Sequence, residues 1–218
     1  MSERRVAVVT AGLSTPSSTR MLADRLATAT VAGLAGRGID ASVDIVEVRT
    51  HAHQITDNLL TGFAPPALEA AINQIVSADA VIAVTPVFSS SYSGLFKSFI
   101  DVLEPGALTG KPVLLAATGG SARHSLALEY AMRPLFAYLR AEPVPTSVFA
   151  APEDWAGSGE GASSLRSRID RAAGELVTAI AGRTRESVTD PFDPAAYLGE
   201  GRSFASLLGR VAPSETTH

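Results

Sequence analysis

Three short segments concentrate the residue types able to do chemistry. The first, Ala11 to Arg20, reads AGLSTPSSTR and crowds Ser14, Thr15, Ser17, Ser18 and Thr19 around one turn. A helix starting near Ser18 would leave its first backbone N–H groups without intrahelical partners and would point its positive dipole end into this loop. Hydroxyls and amides gathered there suit an anion such as a phosphate. Capping a helix takes only one hydroxyl, and the surplus is what points to a ligand. The loop lacks the G-x-G-x-x-G spacing of a dinucleotide site; Gly110-Lys111 is no Walker motif either, because Pro112 follows and the earlier glycine is missing. A monophosphate fits best.

The second segment, Thr85 to Asp101, reads TPVFSSSYSGLFKSFID. Pro86 is expected to end a strand, and Phe88 and Tyr92 offer flat apolar surface among small hydroxyl residues, as a heteroaromatic ring with polar edges would require. Simple core packing is the competing reading of both rings. The third segment, Ala117 to His124, reads ATGGSARH, and Gly119-Gly120 would let backbone N–H groups come close to a ligand. It misses the last glycine of the G-x-S-x-G nucleophile elbow, and no suitably spaced acid–histidine pair supports a serine hydrolase. His124 therefore reads as a surface or helix-start residue. His51 and His53 supply two ligands without a third, too few for a metal site, and read as part of a solvated loop. Neither a catalytic side chain nor a metal ligand is assigned.

These loops need a frame, and the apolar pattern supplies one. Arg5 to Thr10 is a continuous β-branched run of the kind buried on both faces of a parallel sheet. Met21, Leu22, Leu26 and Ala29 then recur at helical spacing from Ser18 to about Leu34. The alternation continues with Ala41 to Val48, Ala80 to Thr85, Pro112 to Ala117 and Val144 to Ala150 as strands. Pro66 to Ser77, Gly94 to Leu103, Ala122 to Leu139 and Leu165 to Ile180 are the helices. Strands alternating with helices predict an α/β doubly wound parallel sheet with right-handed crossovers, five strands in all. Ligands of such sheets lie beyond the carboxyl ends of the strands, where the three segments fall.

Composition narrows the function. Of 218 residues, 46% are hydrophobic and 18% charged, below the roughly 25% usual for soluble domains, which suggests extra buried surface such as a subunit interface. The net charge of −4 without a Lys/Arg run excludes a nucleic-acid face. With no cysteine, disulfides, thiolate metal sites, Fe–S clusters and redox dithiols are ruled out, so electron chemistry would need a bound cofactor. The N-terminal MSERRVAVVTAGLS is too short for a secretion signal or a membrane span, and a cytoplasmic protein with no membrane partner is expected. A main domain over 1–182 is expected, followed by a segment over 183–218 that is either disordered or docks on a neighbouring subunit.

From Val6 to Val148 the sequence resembles the NAD(P)H-dependent FMN reductase family, including the reductase components of two-component flavin monooxygenases. The most specific stretch runs from TPVFSSSYSGLFKSFIDVL through GALTGKPVLLAATGGSARHSLALEY to AMRPLFAYLRA. The resemblance implies a flavodoxin-like fold with strand order 2-1-3-4-5, FMN and NAD(P)H as substrates, a homodimer or homotetramer, and a flavin-dependent monooxygenase as partner. Carried over by position, Ser14, Ser17, Ser18 and Thr19 would hold the phosphate. Pro86, Val87, Phe88 and Tyr92 would face the ring, and Thr118, Gly119 and Gly120 its edge. Two departures stand out: Leu13 replaces a common Ser, and the usual basic residue of the first loop is missing unless Arg20 takes its place. Phe88 replaces a frequent Tyr. The alternatives are a bound-FMN reductase of quinones, azo dyes or metal oxyanions, and a flavodoxin-like electron carrier.

Overall fold

Successive side chains of a strand point to opposite faces, and this period divides the molecule into layers. The computed structural model describes residues 3–155 and 160–183. Its strands are β1 (Arg4–Thr10), β2 (Ala41–Glu47), β3 (Ala80–Phe88), β4 (Ser91–Tyr92), β5 (Pro112–Thr118), β6 (Glu142–Pro143) and β7 (Val148–Ala150). Val6, Val8, Ile82, Val84, Leu114 and Ala116 face one side, where they pack under α1 (Ser18–Ala35) and α6 (Glu160–Ala181). Ala7, Val9, Val81, Ala83, Val113 and Leu115 face the other. That side is covered by α2 (Ala52–Thr61), α3 (Pro66–Val76), α4 (Gly94–Asp101) and α5 (Arg133–Tyr138). Because both faces are buried, β1, β3 and β5 read as unbroken apolar runs.

Local chemistry sets where the elements begin and stop. Ser17 caps α1, its Oγ accepting from Arg20 N at 3.2 Å, and Leu22, Leu26 and Leu34 carry the helix onto the sheet. Met21, expected on that face, instead lies half-exposed against the first loop. Ser93 caps α4 in the same way, accepting from Phe96 N at 3.2 Å. Pro66 opens α3 at a position where a missing N–H costs nothing, and Gly62 closes α2 in the left-handed region at φ 78°.

The structure corrects the expected arrangement in several places. The sheet has seven strands, in the order β2-β1-β3-β5-β6 with β4 on β3 and β7 on β5, rather than five. Pro86 does not end β3: it still registers with Thr118, and the strand then leaves the parallel ladder to form a hairpin with β4. The segment around His51 and His53 is a 3-10 turn leading into α2, not a loop. The expected segment over 183–218 lies, apart from Arg183, outside the described residues.

Of the expected strand Val144 to Ala150 only Val148–Ala150 is a strand, and a separate short strand, Glu142–Pro143, precedes it. Pro143 and Pro145 have no N–H to donate to a ladder; Val144 N still donates to Val113 O at 2.8 Å, and side chains satisfy the backbone that follows. Arg133 donates to the carbonyls of Val144 and Pro145 at 3.1 and 3.0 Å and to Ser147 Oγ at 2.8 Å, while Glu175 accepts from Thr146 N at 2.7 Å. The expected helix Ala122 to Leu139 is likewise broken into a 3-10 turn (Ala122–His124), a π-turn (Leu128–Met132) and α5. Pro134 has no N–H for the carbonyl of Tyr130, so the regular ladder cannot run through it, and the wide turn lies immediately before.

Arg133 therefore holds the gap closed, and it also bonds Glu129, whose carboxyl it keeps below the usual carboxylate range. Arg133→Met should lower stability in urea denaturation by about 1.5–3 kcal/mol at neutral pH, the scale of hydrogen bonds to a charged group. A lowered folded-state value means that the Glu129 share is complete above the ordinary value of about 4.3 and is lost as pH falls through the depressed one. The difference between wild type and variant should narrow below about pH 4 without vanishing, since the bonds to the carbonyls do not titrate.

Candidate functional site

The carboxyl ends of β1, β3 and β5 are consecutive in the sheet, so the three loops open side by side across two strand spacings, about 10 Å. The loop after β1 is tightly tied. Ser14 Oγ donates to the Pro16 carbonyl at 2.9 Å, and Gly12 passes so close to the helix cap that a Cβ there would lie 2.0 Å from Ser17 Oγ. With Thr10, Arg20, Met21, Glu47 and Arg49 the loop lines a cavity of about 260 Å³. Thr10 Oγ1, buried at its edge, has no hydrogen-bond partner among the described residues, an unmet polar group in a site that can take an anion.

The predicted phosphate residues divide. Ser14, half-buried Ser17 and exposed Ser18 surround the turn, with Ser17 occupied as the cap. Thr19 is buried, and its hydroxyl shares a hydrogen bond of 2.8 Å with that of Thr118, 99 residues away. This bond fastens the first loop to the end of β5; what Thr19 leaves for a ligand is its backbone N–H at the helix start.

Charge reaches the cavity from two elements. Arg20 pairs with Asp24 at 2.8 Å and with Glu47, and the bond to Asp24 is the main cause of a guanidinium pushed above its already high value. Arg49, in the 3-10 turn after β2, pairs with the other oxygen of Glu47 at 3.1 Å and donates to Ser14 O at 3.2 Å and to Thr15 Oγ1. Sequence reasoning missed Arg49 and Thr10. A signal existed: β2 runs parallel beside β1, so a basic residue just past its end, as in VEVR, must flank the first loop.

The second loop is a hairpin reversed by Ser89 and Ser90, both left-handed at φ 49° and 67°. Val87 pairs with Tyr92 and Phe88 with Ser91, so Phe88 and Tyr92 occupy opposite faces of the ribbon and form no joint platform. Tyr92 leans on the core, its ring 6.1 Å from that of Phe96, whereas Phe88 is 47% exposed. Thr85 Oγ1, accepting from Ser93 N at 3.1 Å, holds the hairpin to the strand beneath. Pro86 is buried within β3.

In the third loop Gly119 N already donates to Ala150 O at 3.1 Å, and a Cβ on Gly119 would lie 2.8 Å from Phe149 Cζ, so packing explains this glycine. Gly120 is exposed with open space around its Cα. Below them Asp154 accepts from Ala151 N at 2.8 Å and pairs with Arg168, which also donates to Phe149 O, clamping the end of β7 to α6. The described residues hold no His/Cys/Asp/Glu cluster able to bind a metal. None of their helices is long and apolar enough to cross a membrane.

A parallel sheet covered on both faces, with a cavity, a hairpin and a glycine loop along one carboxyl edge, defines a flavodoxin-like α/β protein. Residues 4–156 match the NADPH-dependent FMN reductase family, and the chain belongs to it. The FMN reductase (NADPH) of Pseudomonas aeruginosa is 34% identical over 180 residues, which cover 83% of this chain and 94% of that one. The NADH-dependent FMN reductase SfnE of Pseudomonas putida is 35% identical over 79% of this chain and 90% of its own. The crystal structure of an oxidoreductase from Corynebacterium diphtheriae superimposes with a TM-score of 0.80 at 47% identity, covering 84% of this chain and 99% of its own.

The strut between the first and third loops can be tested. Thr19→Val and Thr118→Val should each cost about 1–3 kcal/mol, because each leaves the other hydroxyl buried and unpaired. The double variant should cost less than their sum by at least about 0.5 kcal/mol in urea titrations. Additive losses would mean that the two hydroxyls do not depend on each other.

Proposed function

We propose that this protein reduces FMN with NAD(P)H and releases the reduced flavin, as a flavin-dependent monooxygenase would require of its partner. The observation that carries the reading is the anion cavity of the first loop, with the unpartnered Thr10 hydroxyl at its edge, tied by Thr19 and Thr118 to the glycine loop across one crevice. Ser14, Ser17, Ser18 and Thr19 surround the FMN phosphate, with the amides at the start of α1 and Arg20 and Arg49 as donors. Pro86, Val87, Phe88 and Tyr92 border the ring system, and Thr118, Gly119 and Gly120 its polar edge.

Flavin held there supplies the hydride chemistry, accepting from nicotinamide C4 at its N5. The chain's own residues bind and orient; hydride transfer itself asks no side chain to move a proton, which suits a crevice whose near groups are hydroxyls, amides and paired arginines. The split of Phe88 and Tyr92 onto opposite faces of the hairpin bears on retention. A ring stacked by one aromatic rather than two forfeits about 0.5–1.5 kcal/mol beyond its buried area, and its other face is open to nicotinamide and to departure.

NADPH and NADH oxidation followed at 340 nm, with and without added FMN, tests the reading. The rate should be low without FMN and saturate at about micromolar FMN, a common enzyme scale. Stoichiometric FMN surviving dialysis, with added FMN leaving the rate to a quinone unchanged, would assign the protein to the bound-flavin reductases instead. A flavin-loaded protein unable to oxidise either nucleotide would be an electron carrier.

The same reading includes assembly into a homodimer or homotetramer, supported by Leu126, Tyr130 and Tyr138 standing exposed on or next to the broken helix before β6. Light scattering at micromolar protein should give at least twice the mass of one chain; a monomer contradicts it.

A further inference from the structure

We infer that Glu47 sets how tightly the first loop holds a phosphate, keeping Arg20 and Arg49 neutralised so that the flavin exchanges instead of staying fixed. The inference rests on the reading of that loop as the FMN phosphate site.

Glu47 is the last residue of β2 and lies in register beside Thr10, whose unpartnered hydroxyl borders the same cavity. Its two carboxylate oxygens are divided between the two arginines, Oε1 to Arg20 and Oε2 to Arg49. Arg20 is also paired with Asp24. Two guanidinium groups and two carboxylates thus sum to zero around a cavity that would receive a dianion. Arg49 places Nη1 on Ser14 O and Thr15 Oγ1 and Nε on Glu47, so the loop and the carboxylate fix the guanidinium together.

A phosphate entering this cavity meets guanidinium groups whose charge Glu47 already balances, and it sits beside a carboxylate of its own sign. Arginine–phosphate hydrogen bonds are strong because both partners are charged; here repulsion from the Glu47 carboxylate offsets part of that gain. Binding then leans on loop amides, hydroxyls and the helix dipole, whose partial charges are short-ranged. Glu47 touches no reacting atom and acts through the arginines, as a positioning residue.

Glu47→Gln keeps the shape and one acceptor while removing the charge. Binding is read from quenching of flavin fluorescence, with FMN and with riboflavin, which lacks the phosphate. The variant should bind FMN about tenfold more tightly, the effect of a single nearby charge in a half-buried site, and riboflavin within about twofold of wild type. In turnover both KM for FMN and kcat should fall, because product leaves more slowly. A ratio of FMN to riboflavin affinity that is unchanged or smaller overturns the inference.

Wild type alone gives a second test that does not depend on the variant folding. Around a neutral cluster the FMN dissociation constant should change less than about threefold between roughly 0.05 and 0.5 M NaCl, since little net attraction is available to screen. A change above about tenfold overturns the inference while leaving the phosphate site in place. Wild type binding riboflavin as tightly as FMN would remove the phosphate site itself, and this inference with it.

Discussion

A single buried hydrogen bond, Thr19 hydroxyl to Thr118 hydroxyl, joins the start of α1 to the end of β5 and with it the first and third loops. Each threonine is nearly inaccessible, so neither hydroxyl can exchange its partner for water. The two threonines meet because β1, β3 and β5 run parallel in fixed register, with Thr10 opposite Val84 and Thr85 opposite Ala117. Slipping any strand by one residue would turn its buried side chains to the wrong face and part the two threonines. The crevice therefore inherits its width from the sheet and its rigidity from this strut.

Around that strut the loops are built from side chains that serve the frame first. Ser17 caps α1, Ser93 caps α4, Thr85 fastens the hairpin, and Gly119 makes room for Phe149. Groups left with spare capacity are fewer: the Thr10 hydroxyl, exposed Ser18, the open surroundings of Gly120, and two arginines already matched by carboxylates. A site made mainly of backbone and small hydroxyls, with its charge balanced in advance, is suited to positioning a ligand that carries its own chemistry.

Residues and spacing in the amino-acid sequence already determined the alternation of strands and helices, the burial of β1, β3 and β5 on both faces, the hydroxyl-rich composition of the first loop and the lack of any thiol chemistry. These are legible because they depend on local period and on residue type. The split of the last strand was not, since Arg133 and Glu175 complete backbone there that has no ladder partner; nor were β4, which depends on a tight turn of two positive-φ serines, and the π-turn, which accompanies the N–H that Pro134 lacks. The opposite placement of Phe88 and Tyr92 follows from the hairpin register, which two positive-φ serines determine and composition does not reveal. Arg49 and Glu47 enter the first loop's cavity only because β2 lies beside β1, a neighbour relation between residues about 35 positions apart in the chain. Tertiary structure alone decided these features, because charge pairing and hydrogen bonding depend on distances in space, and the order of residues bounds those distances without setting them.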